Sequence, residues 1–158
     1  MNSFRVVAIA TETARRVRET LRSPGYGHPA TVEVASGYGP CRHCLDPFVV
    51  GEEKRILFTC DPFWGVEPFP LPGPVFIHEE PCRRYEETAG FPERLREHPL
   101  TLIAYGAGRA FRAEERVGGH EAGQVVERFF AREDVSYVLV RDTDAGCYDF
   151  RIERGTAK

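Results

Sequence analysis

The chain has 158 residues, of which 42% are hydrophobic and 28% charged, a balance that predicts a folded single domain (1–158) and argues against disorder. A formal net charge of −3 and a pI near 6.0 lack the basic excess that nucleic acid or an anionic membrane surface would call for, so neither is expected as a partner. No apolar run approaches the roughly 18 residues of a membrane span. The opening apolar stretch is too short for a signal peptide and carries Arg5 inside it, so the expected location is the cytoplasm. Five cysteines, an odd number, fit a reducing compartment better than a disulfide framework.

Residues 4–9 read as a first strand, rich in β-branched residues. Thr11 or Thr13 is placed to cap a helix in which Ala14, Val17 and Leu21 recur at helical spacing. Its arginines (Arg15, Arg16, Arg18, Arg22) read as a solvated face, and Ser23-Pro24-Gly25 stops it. Residues 31–35 alternate like a half-buried strand, and 54–60 form a third. Between Asp61 and Pro74 lie five prolines in fourteen residues, with Phe63, Trp64 and Phe69. That density excludes a regular element and predicts a stiff, ordered loop.

A strand resumes over 75–78, and a short helix is expected over 92–98, with Pro92 in its first turn. Strands over 100–106 and 109–117 flank Ala107-Gly108 as a hairpin. Ala122, Val125, Val126, Phe129 and Phe130 form an amphipathic helix stripe, read as a core face. Strands over 135–140 and 147–152 close the chain. About eight short strands and two or three helices predict an α+β fold, a mostly antiparallel sheet with the helices packed on it. The sequence has no glycine-rich dinucleotide fingerprint, P-loop or nucleophile elbow.

One constellation stands out for chemistry: Cys41-x-x-Cys44 with His78-x-x-x-Cys82. Two short-spaced pairs can supply the four N/S ligands of a closed, structural zinc site. The plainer alternative has Cys41 and Cys44 lining a turn, His78 as a pocket residue and Cys82 as a small buried hydrophobe; the spacing fits zinc loosely, but the His78 half begins in a strand, where such ligands are less common, and this puts the plainer alternative slightly ahead. A thiol redox pair at Cys41 and Cys44 is a further alternative, with Arg42 and His43 depressing a thiolate pKa. So is a nucleophile at Cys82 with His78 as acid/base. A small-molecule pocket is the remaining option, walled by the 61–74 loop with Trp64 and anchored by Arg42, Tyr85 and Arg141.

Three segments carry a resemblance. They are Gly39-Pro40-Cys41-Arg42-His43-Cys44-Leu45 with Gly51-Glu52; Gly73-Pro74-Val75-Phe76-Ile77-His78 with Cys82 and Tyr85; and Asp134 to Arg141 with Gly146-Cys147. In this order they resemble a family of small bacterial proteins known as a domain of unknown function, number 1203. The resemblance implies a one-domain bacterial protein and directs attention to Cys41, Arg42, His78, Cys82, Tyr85, Arg141 and Cys147. It also implies that the position of Cys44 can hold another residue, which counts against a four-ligand site. The leading expectation is therefore a small-molecule-binding protein or small enzyme, with its site between the Cys41 loop, the 61–74 loop and the His78–Tyr85 segment. A zinc-stabilised, non-enzymatic interaction module using Cys41, Cys44, His78 and Cys82 is the alternative. An edge strand such as 100–106 leaves a homodimer open.

Overall fold

Alternation in the strand sequences builds two antiparallel sheets, seen in a computed structural model that describes residues 4–68 and 70–155. The elements are β1 (Phe4–Val7), α1 (Thr11–Thr20), β2 (Thr31–Val34), β3 (Lys54–Cys60), β4 (Gly73–His78), β5 (Pro99–Gly106), β6 (Ala110–Gly118), α2 (Ala122–Phe130), β7 (Tyr137–Asp142) and β8 (Tyr148–Arg154). The larger sheet runs β1-β8-β7-β5-β6 and the smaller β2-β3-β4. Among the described residues, eight strands and two α-helices make the fold α+β, as the sequence predicts. Among the described residues, no helix is long and apolar enough to cross a membrane.

The central strand β7 is buried on both faces, which sets the layer order. Its Val138 and Val140 join α2 (Val125, Val126, Phe129, Phe130) in one core. Its Tyr137 and Leu139 face a second core with Ala14 and Val17 of α1 and Ile56, Phe58, Val75 and Ile77 of the small sheet. The larger sheet is thus sandwiched between α2 and the small sheet with α1. All five residues of the predicted α2 stripe are buried.

Four local expectations are corrected. α1 has Ala10, not a threonine, at its N-cap, and no side-chain cap; Thr11 lies inside the helix and turns toward His43 instead. The helix ends at Thr20, where Leu21 enters the left-handed region (φ 51) and bonds back to Val17, ahead of the Ser23-Pro24-Gly25 stop. The helix expected over 92–98 shrinks to a single 3₁₀ turn, Glu93–Leu95. Pro99 disfavours a helical His98 and opens β5. Arg18 does not sit on a solvated face: it donates to the His78 carbonyl and lies 3.3 Å from the Cys82 sulfur.

The 61–74 loop is ordered around one carboxylate. Asp61 Oδ1 accepts from the backbone N–H of Phe63 and Leu71, and Phe63 is fully buried. Phe69 lies outside the described residues.

Candidate metal centre

The segment after β2 closes on itself before it reaches β3. Pro40 and Pro47 form an isolated antiparallel bridge, Cys41 N–H donates to the Asp46 carbonyl at 2.9 Å, and Leu45 N–H to the Cys41 carbonyl at 2.7 Å. This turn requires a left-handed residue just after Cys44, and Leu45 supplies it at φ 62. A branched residue pays about 1–2 kcal/mol there. Complete burial of the Leu45 side chain in the α2 core holds it in place. The turn sets Cys41 and Cys44 side by side.

β4 brings the second pair. His78 ends that strand opposite Arg55 of β3, and the chain then bends through Pro81 to Cys82. The ligand atoms of Cys41, Cys44, His78 and Cys82 all fall within 4.8 Å of one another, so the four could hold a metal ion. Cys41 Sγ lies 3.8 Å from Cys82 Sγ, and Cys44 Sγ lies 3.4 Å from His78 Nδ1. Cys41 and His78 are buried; Cys44 and Cys82 are half-buried.

Surrounding groups orient these side chains. Glu53 Oε2 is 3.0 Å from His78 Nε2, while its other oxygen accepts from Val49 N–H. Donation from Nε2 to Glu53 aims Nδ1 at the sulfurs, the orientation a metal-ligating imidazole needs once a bound cation displaces the Nδ1 proton. The His78 N–H points at Cys41 Sγ, 3.3 Å away. Buried His43 sits 3.2 Å from Cys82 Sγ through Nδ1 and 3.0 Å from Thr11 Oγ1 through Nε2. Arg18 and His43 therefore both converge on the Cys82 sulfur, where Arg18 brings positive charge.

Crowding of the thiols divides their protons. Hydrogen bonding with Cys41, then Cys82, together with burial, pushes the Cys44 thiol up. Cys82 is held down, chiefly by Cys41 and Cys44 and further by His43 and His78. His78 rises to about 10, first through Cys41 and then Cys82, against desolvation. Negative charge concentrates on sulfur in a cluster that a cation would neutralise, releasing the shared protons.

The other predicted site residues lie elsewhere. Tyr85 donates to the Gly90 carbonyl, and its backbone N–H donates to the His43 carbonyl. Trp64 lines an apolar cavity with Tyr26, Phe58 and Cys60, and its ring lies under the Arg151 guanidinium. Arg141 donates to the Gly146 carbonyl. Arg42 is buried, giving its Nε to the Tyr148 carbonyl and its Nη1 to the Pro40 carbonyl. Its Nη2 is 3.5 Å from Asp149, which is fully buried. Sequence reasoning missed Asp149, Glu53 and the role of Arg18. Only the Ala14–Arg18 spacing, one turn on from the buried helix face, offered a signal for the last.

Burial pushes Asp149 up to about 7, with Arg42 opposing and Asp142 adding to the shift. A carboxyl raised in the fold binds more protons folded than unfolded between its ordinary 3.8 and about 7, so its contribution to stability falls as pH rises through that window. Stability of the Asp149→Asn variant relative to the parent should therefore climb over the same window, as read by urea unfolding at a series of pH values. A pH-independent difference would show that Asp149 ionises as an ordinary carboxyl.

No curated protein and no solved structure matches the chain. A family model does match, over residues 38–154, and takes in both cysteine-bearing segments, β3 to β8 and α2. The chain belongs to the family described as protein of unknown function (DUF1203).

Proposed function

We propose that the chain is a non-enzymatic binding protein whose fold is stapled by one zinc ion on Cys41, Cys44, His78 and Cys82. The convergence of the four side chains carries this reading. Tetrahedral zinc with Zn–S near ~2.3 Å and Zn–N near ~2.0 Å sets sulfurs ~3.8 Å apart and sulfur from nitrogen ~3.5 Å apart. The Cys41–Cys82 and Cys44–His78 separations of 3.8 and 3.4 Å agree with both. Three soft thiolates and one imidazole suit zinc rather than a hard cation. Four protein ligands leave no open position for substrate, which favours a structural role over a catalytic one. Three thiolates with a divalent ion carry one net negative charge, and Arg18 at Cys82 offsets it.

The test is metal content on protein purified without chelator, with thiols counted in the same sample by alkylation. One zinc per chain is expected, with Cys41, Cys44 and Cys82 protected while Cys147 reacts. Absence of metal with rapid alkylation of Cys82 would overturn the reading.

That second outcome would favour thiol chemistry, which one observation supports: Cys82 is half-buried with His43 and Arg18 both at its sulfur. Such surroundings lower a thiol pKa and make a nucleophile. In this reading the Cys41 sulfur lies within reach of Cys82, at 3.8 Å.

A further inference from the structure

The two sheets have four outer strands, and the fold covers two of them. β1 is bordered by the Glu87 segment, whose carbonyl accepts from Val6 N–H, and β4 by the cysteine turn, where Arg42 N–H donates to the Phe76 carbonyl. β2 is four residues long. That leaves β6, nine residues at the margin of the larger sheet; β5, expected as an edge strand, lies inside it instead.

Hydrogen bonding alternates along an antiparallel strand, so the open edge can be assigned residue by residue. The Tyr105 carbonyl accepts from Ser136 N–H and the Pro99 carbonyl from Thr143 N–H, which directs the odd-numbered residues of β5 to β7 and the even-numbered ones to β6. The β6 partners of Leu100, Leu102 and Ala104 are Val117, Glu115 and Ala113. The backbone N–H and C=O of Glu114 and Arg116 therefore point away from the sheet, and no strand among the described residues meets them.

The side chains along this edge are open too. Glu114 and Arg116 are exposed, and neither makes an ion pair or a side-chain hydrogen bond among the described residues. Phe111 is 63% exposed, the most open large hydrophobic among the described residues. It shares their face, because its β5 partner Tyr105 alternates with Ile103 and Thr101, which lie opposite Glu114 and Arg116.

Charges on a strand edge commonly repel a second strand, but the order of signs on β6 favours one self-pairing. A two-fold axis at Glu114 sets Glu114 against itself and Arg116 against Arg112, like against like. An axis at Ala113 drives the bulged Arg112 of each copy into the ladder. An axis at Glu115 sets Glu114 of each copy against Arg116 of the other, twice, and both are residues whose backbone groups are free to bond. Opposite charges facing across strands stabilise the pair, and like charges oppose it. Glu115 at the axis is already paired with Arg128. In this register Ala113 meets Val117. The bulge takes up one residue, so Phe111 comes opposite Gly118, over whose Cα there is open space; an aromatic ring across from a strand glycine covers exposed backbone.

We propose that the chain forms a two-fold dimer by antiparallel pairing of β6 with β6 of a second copy, in the register that sets Glu114 against Arg116. The larger sheet then continues from one copy into the other. The interface uses none of Cys41, Cys44, His78 and Cys82, so it stands whether or not a metal occupies them.

Sedimentation equilibrium of the full chain as purified, from about 1 to 300 µM, tests this. A monomer–dimer equilibrium with a micromolar dissociation constant is expected. Arg116→Glu creates two like-charge pairs and should weaken the dimer about tenfold or more, since the symmetry doubles each loss. Glu114→Arg should do the same. The double variant with both changes restores opposite signs and should return the parent affinity, which a general loss of structure would not. If either single reversal fails to fold, Phe111→Ser decides, because this exposed ring lies outside both cores; a several-fold loss is expected. A monomer over the whole range would overturn the proposal. So would a dimer that folded single reversals leave unchanged, or one that the double variant does not restore.

Discussion

Chelating the metal is expected to cost the protein most of its stability. Structural zinc contributes on the order of 10–16 kcal/mol in small metal-folded peptides, against a total of about 5–15 kcal/mol for an ordinary domain. The four ligands also tie together segments that share few other bonds: the Pro40–Pro47 turn, the end of β4 and the coil carrying Cys82. Through Arg18 they reach α1 as well. Without the ion, three crowded thiols and a buried imidazole remain, and the sulfurs repel whenever more than one of them ionises. Circular dichroism melts should show a midpoint lower by about 10 °C or more after a strong chelator, or loss of the cooperative transition. Cys82→Ser should reproduce this without chelator. Cys147→Ser, outside the cluster, should not. An unchanged melt after verified metal removal would end the structural-metal reading.

Arg42→Met is expected to cost about 3–5 kcal/mol, the range for breaking a buried ion pair by removing one partner. Arg42 is 3% exposed, and it answers the Tyr148 and Pro40 carbonyls as well as Asp149. Its own N–H donates to the Phe76 carbonyl, and its carbonyl accepts from Ile9, so the residue joins the cysteine turn to β4 and to the end of β1. Methionine keeps the apolar stem but leaves the Tyr148 and Pro40 carbonyls without their donor and Asp149 buried with no cation, which drives its carboxyl further toward the protonated form. Arg141→Met, which gives up one exposed bond to Gly146, should cost under about 1 kcal/mol. Urea unfolding would measure both. Adding Asp149→Leu to Arg42→Met should recover part of the loss, because the stranded buried carboxyl goes with it. Equal, small effects from both arginines would show that the buried pair contributes little.

Legibility in the sequence followed the range of the interaction responsible. The sequence predicts β3 residue for residue over 54–60 and the α2 stripe in full, because alternation and helical spacing are local signals of burial. The same periodicity could not tell one sheet from two. β2, β3 and β4 separate from the other five strands only because β7 is apolar on both faces and needs a layer on each. The loss of the 92–98 helix came from a neighbour, Pro99, and the unused threonine cap from a distant one, His43, which takes the Thr11 hydroxyl.

Cys41-x-x-Cys44 and His78-x-x-x-Cys82 name the candidate metal ligands, but the strand that carries His78 weighs slightly against them in the sequence. Within each pair, separation is fixed by a few backbone dihedrals and can be read along the chain. Between the pairs it depends on where β4 lands relative to the Pro40–Pro47 turn, a matter of sheet pairing and of Arg42 bridging to Phe76. Asp149 shows the same limit more sharply. Nothing in Cys147-Tyr148-Asp149-Phe150 distinguishes it from a solvated strand residue. The bulge opposite Arg141 turns it inward, and a bulge arises from the register of two strands, a property that neither strand's sequence carries by itself.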